Sequence, residues 1–203
     1  MKHPAIATVA EALQGAGLEG RIFLVGGCVR DELLGSHLSD DFDIVVDGDA
    51  HEVARLLYDK GVCLQEPQIY ARFGTALVLV RQTKIELASA RKESYSPGSR
   101  KPQVQQATLE EDAWRRDFTV NTLMKDVFTG KLFDPTGQGM ADLKAKILRT
   151  PQDPDETFSD DPLRMLRAVR FRWKLGFEPA EDLYPAIQKK CSSPQNHQQR
   201  ADQ

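Results

Sequence analysis

Two glycines, an arginine and a group of aspartates lie between apolar runs in the stretch from Phe23 to Val46, FLVGGCVRDELLGSHLSDDFDIVV. The runs FLV and FDIVV are short and rich in β-branched and aromatic residues, so both are predicted strands. CVRDELLG between them is a short predicted helix that ends at Gly35. A charged side chain beside a buried strand costs free energy unless it is paired, solvated or bound to a ligand. The stretch therefore predicts phosphate or metal chemistry at the edge of a sheet.

Strands and helices alternate along most of the chain, which has 203 residues, 40% of them hydrophobic and 28% charged. That composition is typical of a folded globular chain, and the alternation predicts an α/β fold. TALVLVRQTKIELASA is predicted to form two strands joined by a polar turn around Arg81 to Thr83. Thr108 and Glu111 fit a helix capping box, and 91–107 is a predicted mobile loop. The expected division is a domain of strands and helices over 1–152, a helical region over 153–190 and a polar, disordered tail over 191–203.

The targeting signals, cysteines and net charge of the sequence indicate its compartment and the partners it could bind. No apolar stretch is long enough for a signal peptide core or a membrane span, which predicts a protein without a membrane partner. Cys28, Cys63 and Cys191 form no metal-like pair and are predicted to be free thiols, which favours the cytoplasm. The net charge of −3 argues against a broad RNA-coating surface, but the basic run from Arg164 to Lys174 leaves room for a local one.

Asp41 and Asp43 are candidate metal ligands at the head of the predicted strand FDIVV. Side chains alternate along a strand, so the two carboxylates share a face while Phe42 points to the other. Their mutual repulsion favours a cation between them, and Mg²⁺ prefers oxygen ligands. Glu86, flanked by Ile85 and Leu87, could add a third carboxylate. The alternatives are a solvated turn before the strand and an ordinary exposed glutamate.

Two further groups of residues suit a nucleotide. Gly26 and Gly27 would let backbone amides approach a phosphate, with Arg30 one turn into the following helix, although a tight turn alone also explains the glycines. RRDFTVN holds four polar candidates: Arg115, Arg116, Asp117 and Asn121. They could bind a triphosphate and a ribose, or form a salt-bridged helix end.

The stretch SDDPLRMLRAVRFRWKLGF predicts a helix with two unlike faces. At about 100° per residue, Arg164, Arg167 and Arg170 fall within an arc of about 120°, with Asp161 at its edge. A cluster of apolar side chains is predicted to form the opposite, packed face: Met165, Leu166, Val169 and Trp173. The arginine face needs an anion, or else it is a solvated face.

Together these stretches resemble the class II tRNA nucleotidyltransferase and poly(A) polymerase family of bacterial type. The matching pieces, in order between residues 23 and 171, are LVGGCVRDELLG, DDFDIVV, IELASARKESY, ATLEEDAWRRDFTVN, FDPTGQGMADL and DDPLRMLRAVRF. The resemblance implies a polymerase-β-like head with a mixed sheet flanked by helices, followed by a short helical neck segment. It implies a template-independent enzyme that adds nucleotides from CTP and ATP to a tRNA 3′ end and releases pyrophosphate.

The resemblance also implies roles for individual residues. Asp41 and Asp43 would hold two Mg²⁺ ions with support from Glu86. Phosphate contacts would come from Gly26, Gly27, Arg30 and Arg116, and ribose contacts from Asp117 and Asn121. The base edge would be recognised by Asp161 and Arg164, with Arg167 and Arg170 completing that face. The loop 91–107 corresponds to the family's flexible loop.

Two alternatives stay open within this resemblance. A poly(A) polymerase acting on other RNA 3′ ends shares every one of these stretches, and a truncated, non-catalytic nucleotide- or RNA-binding fragment is the second alternative. Family members carry long helical domains after the neck, whereas here the helical pattern gives way to a polar tail near Lys190. We therefore expect nucleotide binding with Mg²⁺ but weak tRNA binding, and the oligomeric state is left open.

Overall fold

The computed structural model describes residues 3–36, 41–94 and 103–192, and its centre is a seven-stranded mixed sheet flanked by helices. This architecture confirms the predicted fold class. Within the described ranges the strands are β1 (Ile22–Val25), β2 (Asp41–Val46), β3 (Gln68–Tyr70), β4 (Thr75–Val80), β5 (Thr83–Ser89), β6 (Arg91–Ser94), β7 (Gln103–Gln106), β8 (Met124–Asp126), β9 (Leu132–Phe133), β10 (Ile147–Leu148) and β11 (Glu178–Pro179). The α-helices are α1 (Pro4–Leu13), α2 (Gly27–Leu33), α3 (Ala50–Asp59), α4 (Leu109–Trp114), α5 (Gly139–Ala145), α6 (Pro154–Asp160), α7 (Leu163–Leu175) and α8 (Leu183–Cys191).

The strand order of the large sheet is β3-β4-β5-β2-β1-β8-β9. β2 and β5 are parallel, and the other neighbouring pairs are antiparallel. The parallel pair is possible because α3 lies between these strands in sequence and crosses back over the sheet. β2 therefore lies in the interior of the sheet, with β5 on one flank and β1 on the other.

The two faces of the sheet are covered to different extents. Phe42, Ile44 and Val46 of β2 point into the main hydrophobic core, where residues of α1 and α3 pack on them. On the opposite face a smaller core around Val45 is covered by Ala113 of α4. That helix leaves Asp41 and Asp43 exposed. The alternation of a strand thus puts the predicted carboxylates on the open part of the sheet.

Two local predictions are confirmed, the turn between β4 and β5 and the helix cap before α4. Arg81 and Gln82 form the tight turn between β4 and β5 and have positive φ angles of 48° and 67°. Thr108 and Glu111 form the capping box that begins α4. Among the described residues, every helix is too short or too polar to cross a lipid bilayer.

Two predictions about the later part of the chain need correction. The helical region expected over 153–190 consists of three separate helices, α6, α7 and α8, and β11 between α7 and α8 pairs in parallel with β10. The ends of the predicted loop 91–107 are strands, because β6 and β7 pair as an antiparallel ladder. The centre of that loop, 95–102, and the predicted tail from 193 onward lie outside the described residues.

Candidate active site

Three carboxylates share the open face of the sheet. Asp43 of β2 pairs in register with Glu86 of the parallel strand β5, and Asp41 precedes Asp43 by two residues on the same face. Ile85 and Leu87, on either side of Glu86, are buried in the main core, so Glu86 faces the same way as Asp43. All three side chains are exposed. The sheet therefore brings together the carboxylates that the sequence singled out.

The electrostatics of this group favour a bound cation. Desolvation raises the pKa of Asp43, since protein atoms surround it at the base of an open surface, and the charge of Asp41 raises it further against the opposing effect of Arg116 and Arg167. Desolvation likewise raises the pKa of Glu86, and the charge of Asp43 adds to that effect. Carboxylates that repel one another are stabilised in their charged form when a cation lies between them.

The carboxylates of Asp41 and Asp43 suit a Mg²⁺ ion that is bound by two protein ligands. Among residues 3–36, 41–94 and 103–192, no three His, Cys, Asp or Glu side chains converge into a preformed metal cluster. Mg²⁺ commonly binds through one or two carboxylates and completes its shell with water and substrate phosphate oxygens. Asp41 and Asp43 meet that requirement, whereas Glu86 borders the pair and does not complete a triad.

The turn between β1 and α2 lies beside Asp43. Gly26 has a φ of +75°, a conformation that side chains rarely adopt, and a Cβ placed there would lie 3.4 Å from Asp43 Oδ2. Gly27 begins α2. Because Val25 of β1 pairs with Asp43, this turn and the carboxylates are neighbours across two strands. The glycines therefore keep backbone close to Asp43 without a side chain in between.

Arg30 is buried, with 3% of its surface exposed. Its Nε lies 2.8 Å from Asp31 Oδ1, and its Nη1 donates to Asn121 Oδ1 at 2.6 Å. Asn121 in turn donates to Asp117 Oδ1 at 2.9 Å. The structure thus places three predicted site residues in one hydrogen-bonded chain, in which Arg30 is held by protein partners.

Asp117 continues this chain into α7. Its Oδ2 accepts from Arg167 Nε at 2.7 Å and lies 2.6 Å from Arg167 Nη2. The Phe171 ring lies between two guanidinium groups, 5.1 Å from that of Arg30 and 5.3 Å from that of Arg167. Phe118 contacts Phe171 edge-on, with ring centroids 5.6 Å apart. Residues 117–121 and α7 are therefore joined by both charge and aromatic packing.

Asp112 is a site residue that sequence reasoning missed. It is 1% exposed, and its two oxygens accept from Arg115 Nη2 at 2.6 Å and Arg116 Nη2 at 2.8 Å. Desolvation would raise its pKa, but the charges of Arg116 and Arg115 outweigh desolvation and lower the pKa below its usual range. The capping box placed this residue in a helix, and its spacing of four from Arg116 was the available signal.

The packed face of α7 differs from the predicted one, although Met165 of the predicted apolar cluster does pack against the main core. Leu166, Val169 and Trp173 are exposed by 68%, 44% and 84%, so the apolar cluster is not the packed face. The buried residues are instead Arg164, Ala168 and Phe171. The packed face is stabilised by a guanidinium hydrogen bond and by aromatic contacts, which a hydrophobicity pattern does not detect.

The remaining predicted base-recognition residues lie around this helix. Arg164 is 9% exposed, and its Nη2 donates to the Arg115 carbonyl at 2.8 Å. Asp161 ends α6, and its Oδ1 accepts from Leu163 N at 3.0 Å. Arg170 is exposed and has no ion-pair partner within the described ranges. Arg164 therefore contacts the residue before Arg116, Arg116 and Arg167 both act on the charge of Asp43, and Arg170 is exposed.

Comparisons with known proteins agree with this geometry. Residues 22–149 match the poly(A) polymerase head domain family. The chain is 40% identical over 161 residues to the A-adding tRNA nucleotidyltransferase of Aquifex aeolicus, an alignment that covers 78% of this chain and 19% of that protein. The chain spans less than half the length of the curated relatives it matches, for example 43% of the CCA-adding enzyme of Ligilactobacillus salivarius.

Solved structures give the same result. A tRNA nucleotidyltransferase in complex with a primer tRNA and an incoming ATP analogue superposes with a TM-score of 0.72 at 36% identity, covering 89% of this chain and 49% of that one. The CCA-adding enzyme of Bacillus stearothermophilus in complex with CTP superposes with a TM-score of 0.73 at 29% identity, covering 92% and 43%. The family match extends over more than half of the chain and contains the carboxylates on β2 and β5. The chain therefore belongs to the poly(A) polymerase head domain family, which includes the tRNA nucleotidyltransferases and CCA-adding enzymes.

Proposed function

We propose that this chain carries the transfer site of a template-independent RNA nucleotidyltransferase. It adds nucleotides from CTP and ATP to the 3′ end of tRNA, as a complete or partial CCA sequence, and releases pyrophosphate. The observation that carries the proposal is the open sheet face on which Asp41, Asp43 and Glu86 lie beside two arginines that act electrostatically on Asp43. Family membership and the CTP, ATP-analogue and tRNA complexes of the solved neighbours support it.

Asp41 and Asp43 are the proposed ligands of two Mg²⁺ ions. When bound, Mg²⁺ supplies charge neutralisation at the transferring phosphate and activation of an oxygen nucleophile. The chain's own contribution is to hold both carboxylates on a rigid strand, because a strand fixes their spacing and direction. Glu86 keeps negative charge at the flank where the RNA 3′ hydroxyl would approach.

The triphosphate is proposed to lie between the β1–α2 turn and α4. Gly26 and Gly27 allow backbone amides to approach it, and Arg116 supplies a positive charge from the end of α4. Asp112 holds both Arg116 and Arg115 in place by paired hydrogen bonds, so these groups do not have to be ordered during the reaction. Arg30 acts on the nucleotide through Asn121 and Asp117, which face the proposed ribose position.

Base recognition is proposed for Asp161, Arg164 and Arg167, with Arg170 at the margin. These residues present fixed donors and acceptors from the start of α7, which the ion pair with Asp117 holds against the sheet domain. A pattern of donors and acceptors can select a base edge without a template strand. We place the catalytic head at 1–152 and this base-recognition region at 153–190. The free, partly buried cysteines favour the cytoplasm as its compartment.

A poly(A) polymerase is the second candidate, favoured by the head-domain match. One assay separates the candidates. The chain is incubated with tRNA lacking its 3′ CCA, Mg²⁺ and each labelled nucleoside triphosphate in turn, and the products are sequenced. We expect one to three defined C or A additions. A long A tail would favour the polymerase, and no incorporation from any triphosphate would indicate a non-catalytic binding fragment.

A further inference from the structure

A cavity of about 300 Å³ lies at the end of the sheet where β2 and β5 finish. Four separate parts of the chain contribute its polar lining: Asp49 and His51 before and within α3, Arg72 before β4, Ser89 and Arg91 where β5 ends and β6 begins, and Gln106 at the end of β7. Asp49, His51, Arg72 and Ser89 have no part in the nucleotide site described above, and Arg91 affects that site through its charge near Glu86.

The charge around this cavity is positive. Asp49 is its carboxylate, and that side chain is already engaged, because its Oδ1 accepts from His51 N at 2.8 Å to cap α3. Arg72 has no ion-pair partner within the described ranges, and it lies over the Phe73 ring at 5.9 Å. Arg91 donates to the Phe73 carbonyl. Two guanidinium groups therefore line a cavity whose acid is used in the helix cap, an arrangement that suits an oxyanion.

Two further groups point to the same ligand. His51 Nε2 is shielded from solvent and has no hydrogen-bond partner among the described residues. Ser89 Oγ accepts from Ala50 N at 3.0 Å, at the start of the ten-residue helix α3. A buried polar nitrogen without a partner costs free energy, and an anion oxygen could accept a hydrogen bond from an Nε2–H group.

The cavity lies at the end of the β5 flank of the sheet, and Ser89 in its wall points to the α3 side, opposite to Glu86. Ser89 follows Glu86 by three residues on β5, a distance of about 10 Å along a strand. Arg91 is close enough to Glu86 to oppose the rise of its pKa. β5 and β1 flank β2 on opposite sides, so a triphosphate at the β1–α2 turn leaves the β5 flank for the RNA.

We propose that this cavity binds a backbone phosphate of the RNA whose 3′ end reaches Asp43. Arg72 and Arg91 supply the charge, and His51 and Ser89 orient the phosphate oxygens. The inference rests on the proposed function, because it takes the incoming strand to be an RNA 3′ end. The head would then contact the RNA near Ser89, three residues beyond Glu86 on β5.

The test is the salt dependence of RNA binding by the 203-residue chain. The dissociation constant of a labelled acceptor-stem RNA is measured over a range of salt concentrations for the wild type, for Arg72→Gln and for Arg55→Gln. Arg55 is an exposed arginine of α3 that does not line the cavity, so it is a matched control. Loss of one phosphate contact lowers the slope of log K against log salt by about one. We expect that change in Arg72→Gln, no change in Arg55→Gln, and unaltered MgATP binding in both.

An unchanged slope in Arg72→Gln, or wild-type RNA binding without salt dependence, would overturn the proposal whatever the transfer activity is. Inorganic phosphate is titrated in parallel while the His51 ring signals are followed by NMR. A response to phosphate with no effect of Arg72→Gln on RNA would assign the cavity to a free anion and overturn the RNA assignment. A changed slope without nucleotide transfer would leave this subsite in place and refute the proposed function instead.

Discussion

Asp117 and Arg167 form an ion pair with a closest approach of 2.6 Å, although they are 50 residues apart in sequence. Asp117 also accepts from Asn121 at 2.9 Å, and Asn121 accepts from the buried Arg30. The pair thus connects the sheet domain with the helix proposed to recognise the base. It explains how α7 keeps a defined position over the open face.

Replacing Asp117 with Asn should lower the free energy of unfolding by about 1.5–3 kcal/mol, because hydrogen bonds to a charged group are lost at a buried position. Urea unfolding of Asp117→Asn, with Asp182→Asn on the exposed start of α8 as its control, measures the difference. Equal unfolding midpoints for the wild type and Asp117→Asn would mean that the pair does not hold α7.

Phe171 and Trp173 lie two residues apart on α7, and substitution should lower stability at Phe171 but hardly change it at Trp173. Phe171→Leu removes ring contacts with two guanidinium groups and with Phe118, and should cost about 1–3 kcal/mol of stability. Trp173 is 84% exposed, so Trp173→Leu should change stability by less than about 0.5 kcal/mol. Thermal unfolding of both variants compares them directly, and a larger loss in Trp173→Leu would support the face first expected from the sequence.

The fold was more predictable than the face of α7. Strand alternation correctly placed Asp41, Asp43 and Glu86 on one face of the sheet, because the apolar residues that alternate with them are buried on the other face. For α7, a helical projection separates two faces but does not say which one packs. The choice depends on the Arg115 carbonyl and the Phe118 ring, which come from distant sequence. Asp112 was missed for a similar reason, since its burial appears only once α4 lies on the sheet.

Acid should weaken the fold through Asp112. Its pKa is lowered in the folded state from an ordinary value of 3.8, so its contribution is present above that value and is lost as the pH falls toward its folded-state pKa. Asp112→Asn should be less stable than the wild type by on the order of 3 kcal/mol at about pH 7, and the gap should narrow at about pH 3. Urea titrations at both pH values measure it, and a gap that stays constant would contradict the lowered pKa.

Asp161→Ala and Arg164→Lys should lower the selectivity among CTP, ATP, UTP and GTP by more than they lower the rate of transfer from the preferred triphosphate. Paired contacts to a base edge discriminate by about 1–3 kcal/mol each. Arg164→Lys keeps a positive charge at the buried position while removing the forked geometry. Competition between labelled triphosphates gives the selectivity ratio, with Arg55→Lys on α3 as the exposed comparison. Unchanged ratios in both variants would assign Asp161 and Arg164 to helix packing alone.

The central claim is that the Asp41 and Asp43 face performs nucleotide transfer. Its most direct test is the single-turnover transfer rate onto tRNA lacking its 3′ end, compared among the wild type, Asp43→Asn and Asp59→Asn at the exposed end of α3. Since desolvation and Asp41 raise the pKa of Asp43, the neutral Asn should not lower the melting temperature at neutral pH. We predict a rate loss of on the order of a thousandfold in Asp43→Asn and none in Asp59→Asn. Transfer at the wild-type rate by folded Asp43→Asn would contradict the account.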